Sequence, residues 1–397
     1  MAYPTLKLKK NEDRRVLAGH LWIFSNEIDT QSTPLSGFQP GETVTVTSAS
    51  GRPLANAYVN PHSLICARIF SHHARQALDS ALFAARIKQA LNLRQYCFQQ
   101  PYYRLIYSEG DLLPGLVVDR FDNSLVMQIS TLGMEVRQKE ITEVLDELLQ
   151  PASIILNNST RARELEGLET FTQVIKGAAP DQLHVMENNA QFHAPAVGGQ
   201  KTGWFYDHRM NRLAMRKWVK DKTVLDVFSY AGGWGIQAAV AGARRVQCIE
   251  SSETACELLR GNAQLNTVAD RIHISTADAF EAMTTLKQAN EKFDVIVLDP
   301  PAFIKRKKDV PQGTIAYQRA NKLAMQLLTE NGILISASCS FHLSRDQHLK
   351  ILRTSAREAG RQIQVVEEGG LGPDHPVHPA IPETAYLSCF TVRLLRE

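Results

Sequence analysis

Val224-Leu225-Asp226-Val227-Phe228-Ser229-Tyr230-Ala231-Gly232-Gly233-Trp234-Gly235 decides the fold. It reads as a strand, a glycine-bearing turn and the start of a helix. Small residues in the turn let a ligand approach the backbone. Around this run the pattern alternates. Strands are expected at Thr223–Val227, Arg245–Glu250, Arg271–Ser275, Phe293–Leu298 and Gly332–Ser338, with helical stretches between them, among them Glu253–Leu265 and Ala316–Leu328. Such alternation marks a doubly wound α/β sheet. A helix over Ser344–Ala359 and two strands, Gln364–Glu367 and Leu387–Leu394, complete this part.

Upstream, the pattern changes. Leu21–Phe24, Thr43–Thr47 and Ile65–Phe70 read as short strands between Gly and Pro turns, with Ser50-Gly51-Arg52 as a hairpin turn, so a small β-barrel-like domain is expected over residues 1–75. Leu78–Leu93 has helical spacing. Strands at Tyr103–Tyr107, Leu116–Asp119, Leu125–Ile129 and Ser153–Leu156, with a helix over Met134–Leu149, make an α+β middle domain over 76–190. A hairpin around Asn188-Asn189 leads into a third domain, 191–397.

A chain of 397 residues with 44% hydrophobic content can bury several cores. Its six cysteines form no CxxC pair, so neither a metal site nor a redox motif is expected. Scattered single cysteines suit a reducing compartment. The N-terminus lacks the apolar core of a signal peptide, and no apolar run reaches membrane-spanning length. A cytoplasmic protein with no membrane partner is expected. Net charge is only +3, and residues 1–75 hold eight Lys/Arg against five Asp/Glu. That surplus suits phosphate contact through Lys9, Lys10, Arg14 and Arg15, or simply a solvated surface.

The glycine spacing after Asp226 departs from G-x-G-x-x-G, which argues against a dinucleotide pyrophosphate on the helix N-terminus. Asp226 instead ends the strand where an ammonium group can lie. A sulfonium amino acid carries that group and no phosphate, so the loop suits S-adenosylmethionine better than NAD. Glu250 ends the second strand, where an acid can accept from ribose hydroxyls. Asp278 follows the third and can meet an adenine amino group, or cap the next helix.

Asp299-Pro300-Pro301 closes the fourth strand, since proline prevents its continuation. Its carboxylate can face a pocket and meet a base amino group or ring nitrogen, or the motif is a plain strand-to-loop turn. Lys305-Arg306-Lys307-Lys308 follows, to grip phosphates or to stay solvated. The fifth strand, Ile333-Leu334-Ile335-Ser336-Ala337-Ser338-Cys339-Ser340, ends in a cysteine. The carboxyl end of a strand in an open sheet is where ligands bind, so Cys339 is a candidate nucleophile; the alternative is a small buried hydrophobe.

These marks together resemble the bacterial ribosomal RNA large subunit methyltransferase I family and related cytosine-5 RNA methyltransferases. The strongest are Gln200-Lys201-Thr202-Gly203-Trp204-Phe205-Tyr206-Asp207-His208-Arg209, Phe228–Gly233, Asp299-Pro300-Pro301 and Ser338-Cys339-Ser340. Gly110–Arg120 and Asp374-His375-Pro376 match as well, so the resemblance covers essentially the whole chain. It implies an N-terminal RNA-binding PUA domain, a central domain and a Rossmann-like methyltransferase domain, with cytosine in 23S rRNA as substrate. It implies Cys339 as nucleophile and Asp299 beside it. The cofactor would be bound by Phe205, Asp207 and Arg209 of a lid, and by Asp226, Phe228, Ser229, Tyr230, Ala231, Gly232, Glu250, Ser251, Asp278, Ala279 and Asp299. Glu250 stands where some relatives have Asp, and both can hold a ribose. Expected partners are 23S rRNA and, as an option, a second copy of the chain in a homodimer.

The expected chemistry is addition of the Cys339 thiolate to C6, which makes C5 electron-rich. The base that removes the C5 proton is left open between His375 and a water. The target base must leave its stack to reach the pocket. Two other readings stay open: methylation of a guanine or exocyclic nitrogen without a covalent intermediate, and a non-catalytic RNA-binding assembly factor. A nicotinamide dehydrogenase fits the glycine spacing less well.

Overall fold

The computed structural model describes residues 3–73, 76–198 and 202–395. Gln200 and Lys201 of the longest motif, and the expected domain end at Arg75, lie outside them. The chain forms two compact units. One holds residues 1–183, 195–206 and 373–384; the other holds 184–194, 207–372 and 385–397.

The second unit carries the alternating pattern. We label its strands β1 (Thr223–Val227), β2 (Arg245–Glu250), β3 (Ile272–Thr276), β4 (Phe293–Leu298), β5 (Leu328–Ser338), β6 (Gln362–Gly369) and β7 (Ser388–Leu395). Its helices are α1 (Arg209–Met215), α2 (Gly235–Val240), α3 (Glu253–Leu265), α4 (Ala279–Gln288), α5 (Val310–Leu327) and α6 (Arg345–Glu358). The sheet order is β3-β2-β1-β4-β5-β7-β6. The first five strands are parallel and β7 is antiparallel to both neighbours. Strand order reverses between β1 and β4, and ligands of such sheets bind at that switch point. Leu225, Val227, Ile296, Leu298 and Leu334 are fully or almost fully buried, as strands covered by helices on both faces require.

Helix α5 begins earlier than the expected Ala316. Pro311 lies in its first turn, where a missing N–H costs nothing. Gly313 is forced by packing, because a Cβ there would come within 2.3 Å of Ile304 Cγ1.

In the first unit, five strands run in the order Thr5–Lys7, Thr43–Thr47, Pro53–Val59, Ile65–Ser71, Trp22–Phe24. A further bridge between Leu8 and Ile28 brings the two edges together, which closes the sheet as a barrel does. A second five-stranded sheet runs Phe171–Lys176, Ser153–Asn158, Ser124–Ile129, Leu116–Phe121, Tyr102–Tyr107. The helix expected over Met134–Leu149 is two pieces, Leu132–Glu135 and Gln138–Leu149. The hairpin turn at Asn188 and Asn189 is made with φ of 52° and 64°, the left-handed conformation that Asn tolerates. Among the described residues no helix is long and apolar enough to cross a membrane.

Candidate methyltransferase site

The site is built from the carboxyl ends of β1, β4 and β5. In β1, Asp226 is fully buried. Its Oδ2 accepts the Gly235 N–H at 2.9 Å, while Oδ1 has no hydrogen-bond partner. Burial pushes its pKa up to about 7, and the charges of Asp299 and Glu250 add to this despite the Gly235 N–H. Glycine is required at 235, because a Cβ would come within 2.6 Å of Cys248 Sγ and 3.0 Å of Asp226 Oδ2.

The loop after β1 is strained. Phe228 and Tyr230 adopt φ of 68° and 47°, where bulky side chains are unfavourable. Hydrogen bonds hold it there. The amides of Phe228 and Ser229 donate to Ile249 O, and Ser229 Oγ donates to Asp226 O at 2.8 Å. Glu250, at the end of β2, accepts from the Tyr230 amide through Oε2 and from the Ser251 and Ser252 amides through Oε1. Asp278 is exposed and caps α4, accepting from the Phe280 and Glu281 amides through Oδ1; Ala279 is buried beside it.

Asp299 follows β4. Trp234 Nε1 donates to its Oδ2 at 2.9 Å, and His208 Nε2 stands 3.2 Å from its Oδ1. Burial alone would raise the Asp299 pKa, but the facing His208 imidazole and the Trp234 N–H reverse that, and it falls below the ordinary carboxylate value.

Strands β4 and β5 are parallel neighbours, with Leu298 beside Ser336. Cys339 is half-buried, and its Sγ lies 4.0 Å from the carbonyl oxygen of Pro300. Its flanking serines point into the protein. Ser338 Oγ donates to Tyr317 Oη at 2.9 Å, Ser340 Oγ is 2.9 Å from the same oxygen, and the Ile304 amide donates to Ser340 Oγ. Cys66, Cys248 and Cys389 are buried thiols with raised pKa values, Cys256 is buried and Cys97 is exposed on a helix of the other unit. Cys339 alone among the six directly follows the carboxyl end of a strand of the parallel sheet.

The residues expected to form a lid divide. Phe205 is half-buried and belongs to the other unit. Asp207 accepts from Tyr386 Oη at 2.5 Å through Oδ2. Arg209 is buried, with its guanidinium 3.7 Å from Glu187 and 3.5 Å from Met186 O. Lys305, Arg306, Lys307 and Lys308 are exposed, and Arg306 pairs with Asp309. No group of three or more His, Cys, Asp or Glu among the described residues is arranged to hold a metal.

Comparison with known proteins fits this geometry. A family model described as a PUA-like domain matches residues 6–72, and one described as conserved hypothetical protein 95 matches residues 207–363. The ribosomal RNA large subunit methyltransferase I of Klebsiella pneumoniae strain 342 is 34% identical, covering 99% of each chain. That of Cronobacter sakazakii is 33% identical over 98% of this chain and 99% of the relative. The chain belongs to the ribosomal RNA large subunit methyltransferase I family. A Streptococcus mutans structure, assigned as a SAM-dependent methyltransferase, superposes with a TM-score of 0.83 at 18% identity, covering 98% of this chain and 100% of that one. A methyltransferase structure complexed with SAH gives a TM-score of 0.84, also at 18% identity, covering 99% and 100%. At that identity the likeness concerns the fold.

Within this family member, several site residues escape a reading of the sequence. His208 and Trp234 lie inside the Gln200–Arg209 and Val224–Gly235 motifs, yet neither motif predicts that both donors reach Asp299. Phe303 packs between Phe228, Phe280 and Tyr317, with ring centroids 6.3, 6.2 and 4.8 Å away. An aromatic residue soon after a strand end is a usable signal for Phe303, as it is for the expected Phe228; nothing local marks Tyr317, which lies in mid-helix.

Proposed function

We propose that this chain transfers a methyl group from S-adenosylmethionine to C5 of a cytosine in 23S rRNA, through a covalent adduct with Cys339. The reading rests on one observation: the Cys339 sulfur borders the Asp299-Pro300-Pro301 turn, at the ends of adjacent parallel strands. We assign RNA binding to a PUA-like domain over 1–75 and methyl transfer to a domain over 191–397, with a central α+β domain over 76–190.

S-adenosylmethionine supplies an electrophilic methyl on a sulfonium centre. The residues present fit it. Asp226 offers a buried carboxylate oxygen with no partner, as an ammonium requires. Glu250 and Asp278 each retain acceptor capacity at the ends of the next two strands, suited to ribose hydroxyls and an adenine amino group.

C5 of cytosine is a weak nucleophile. Addition of the Cys339 thiolate to C6 pushes electron density onto C5. Asp299 accepts from the cytosine amino group and orients the ring. Once C5 is methylated, loss of its proton lets the C6–S bond break and returns the cysteine. His375 is buried, with Nδ1 3.0 Å from Asp374 and its ring on Tyr107, which supports a structural role for it and leaves water as the C5 base.

Labelled S-adenosylmethionine and undermethylated ribosomal RNA, followed by nucleoside mass spectrometry, test the substrate; 5-methylcytidine is expected. RNA carrying 5-fluorocytidine tests the route. A trapped protein–RNA adduct is expected, and turnover without an adduct points to a nitrogen-methylating enzyme instead.

A further inference from the structure

The environment of Asp299 contains a hydrogen-bond chain whose direction can be read from heavy-atom geometry. It begins on the backbone of Gly370. The Gly370 N–H donates to Asn211 Oδ1 at 3.1 Å, and Asn211 Nδ2 donates to Gly370 O at 3.0 Å. Two backbone groups of opposite polarity therefore fix which end of the amide is nitrogen. The close approach depends on the neighbouring glycine: a Cβ on Gly369 would come within 2.2 Å of Asn211 Oδ1.

The same Asn211 Nδ2 lies 3.3 Å from His208 Nδ1. An amide nitrogen donates and does not accept, so Nδ1 must be the accepting nitrogen of the ring. The ring proton is then on Nε2, which stands 3.2 Å from Asp299 Oδ1. His208 and Asn211 are both buried, so water does not compete for these positions. The indole of Trp234 packs on the imidazole, centroids 5.4 Å apart, and delivers the second donor to Asp299 Oδ2.

We propose that His208 is a positioning residue, locked by Asn211 in the tautomer that donates from Nε2, and that it holds Asp299 as an oriented, acceptor-only carboxylate selecting a base with an exocyclic amine. This rests on the reading of Asp299 as the group that meets the target base. With one donor on each oxygen, the carboxylate plane cannot turn. Its remaining lone pairs accept from the amino group of cytosine and repel the carbonyl oxygen that uracil presents in its place. Without His208, Asp299 is free to rotate or to take up a proton, and a protonated carboxyl can donate to that uracil oxygen.

The full-length protein, labelled with ¹⁵N-histidine, gives the direct test. The His208 resonances, assigned by their loss in His208→Gln, are expected to show a bare Nδ1 and a protonated Nε2. In Asn211→Ala the two tautomers should mix. His208→Leu should lower kcat about ten- to a hundredfold, the worth of one hydrogen bond to a charged group, with little change in KM for S-adenosylmethionine. It should also narrow the preference for cytidine over uridine RNA. His208→Gln, whose amide nitrogen can stand in for Nε2, should restore most of the rate and the preference. A protonated Nδ1 in the native protein overturns the proposal, and so does wild-type kcat in His208→Leu. If His208→Leu does not fold, the native spectrum and the Gln variant still decide. If the product nucleoside is not 5-methylcytidine, the substrate reading fails, while the spectrum and the kcat comparison on the true product still judge the positioning chain.

Discussion

The sulfur of Cys339 and the carbonyl oxygen of Pro300 are 4.0 Å apart, although one follows β5 and the other follows β4. The sheet makes this proximity. Parallel pairing of β4 with β5 brings their carboxyl ends to one edge, and the prolines after Asp299 stop β4 from running past the thiol. A thiol and the turn that begins with a carboxylate are thereby presented at neighbouring strand ends on rigid elements, as the proposed nucleophile and base-orienting group require.

Replacing Cys339 with Ala is the most direct consequence to examine. We expect methyl transfer to fall by at least ~10³-fold, as when other covalent nucleophiles are removed, with the affinity for S-adenosylhomocysteine retained. Filter-binding of labelled methyl into RNA and calorimetric titration of the ligand measure the two. Undiminished turnover in the Ala variant would sink the covalent role.

Tyr317 supports the cysteine from beneath. Its hydroxyl bridges the buried hydroxyls of Ser338 and Ser340, on either side of Cys339. Tyr317→Phe leaves the Ser338 hydroxyl without its acceptor, while Ser340 Oγ keeps the Ile304 amide, and an unsatisfied buried donor costs about 1–3 kcal/mol. Denaturant unfolding should register that loss, and kcat should fall while ligand affinity holds. Unchanged stability would mean that Ser338 finds another partner and that the bridge is dispensable.

The strands Thr223–Val227, Arg245–Glu250 and Phe293–Leu298 and the helix Glu253–Leu265 were legible because each is a run of buried or amphipathic residues bounded by turn formers. The start of α5 was not, since Pro311 and Gly313 signal a break in sequence and only packing on Ile304 explains why glycine suits a helix there. The barrel strand Pro53–Val59 was hidden for a similar reason. Proline, alanine and asparagine are weak strand formers, and pairing with both Thr43–Thr47 and Ile65–Ser71 overrides propensity. At the site, the acids at the strand ends could be read from position alone. The donors that face Asp299 could not, because His208 comes from a segment before the sheet and Trp234 from the loop after β1.

Gly235 offers a test of the loop. Gly235→Ala pushes a methyl against both Cys248 Sγ and the Asp226 carboxylate. Overpacking of this kind costs typically 1–3 kcal/mol, so roughly that loss in unfolding free energy is expected. Displacement of Asp226 should also weaken S-adenosylhomocysteine binding. A variant with native stability and native affinity would show that the loop yields freely and that the close fit has no bearing on the ligand.

Asp226 gives the pH dependence. Its pKa is pushed from 3.8 to about 7 in the folded protein by burial. Between those values the folded chain holds a proton that the unfolded chain has released, so this group makes stability fall as pH rises through the window. Its favourable contribution is complete below about pH 4 and lost above about pH 7, and at 1.36 kcal/mol per pH unit the upper bound is about 4 kcal/mol. Asp226→Asn removes the penalty. The variant should therefore unfold at a higher temperature than the native protein at pH 8, and the gap should close towards pH 4. A ligand ammonium beside the carboxylate acts in the opposite direction, favouring the ionised form. Binding of S-adenosylhomocysteine at pH 6.5 should release up to about three-quarters of a proton, which appears as a dependence of the binding heat on the ionisation enthalpy of the buffer. Asp226→Asn should bind more weakly and release none. A variant less stable than the native protein at pH 8, together with buffer-independent heats for the native protein, would remove Asp226 from the cofactor site.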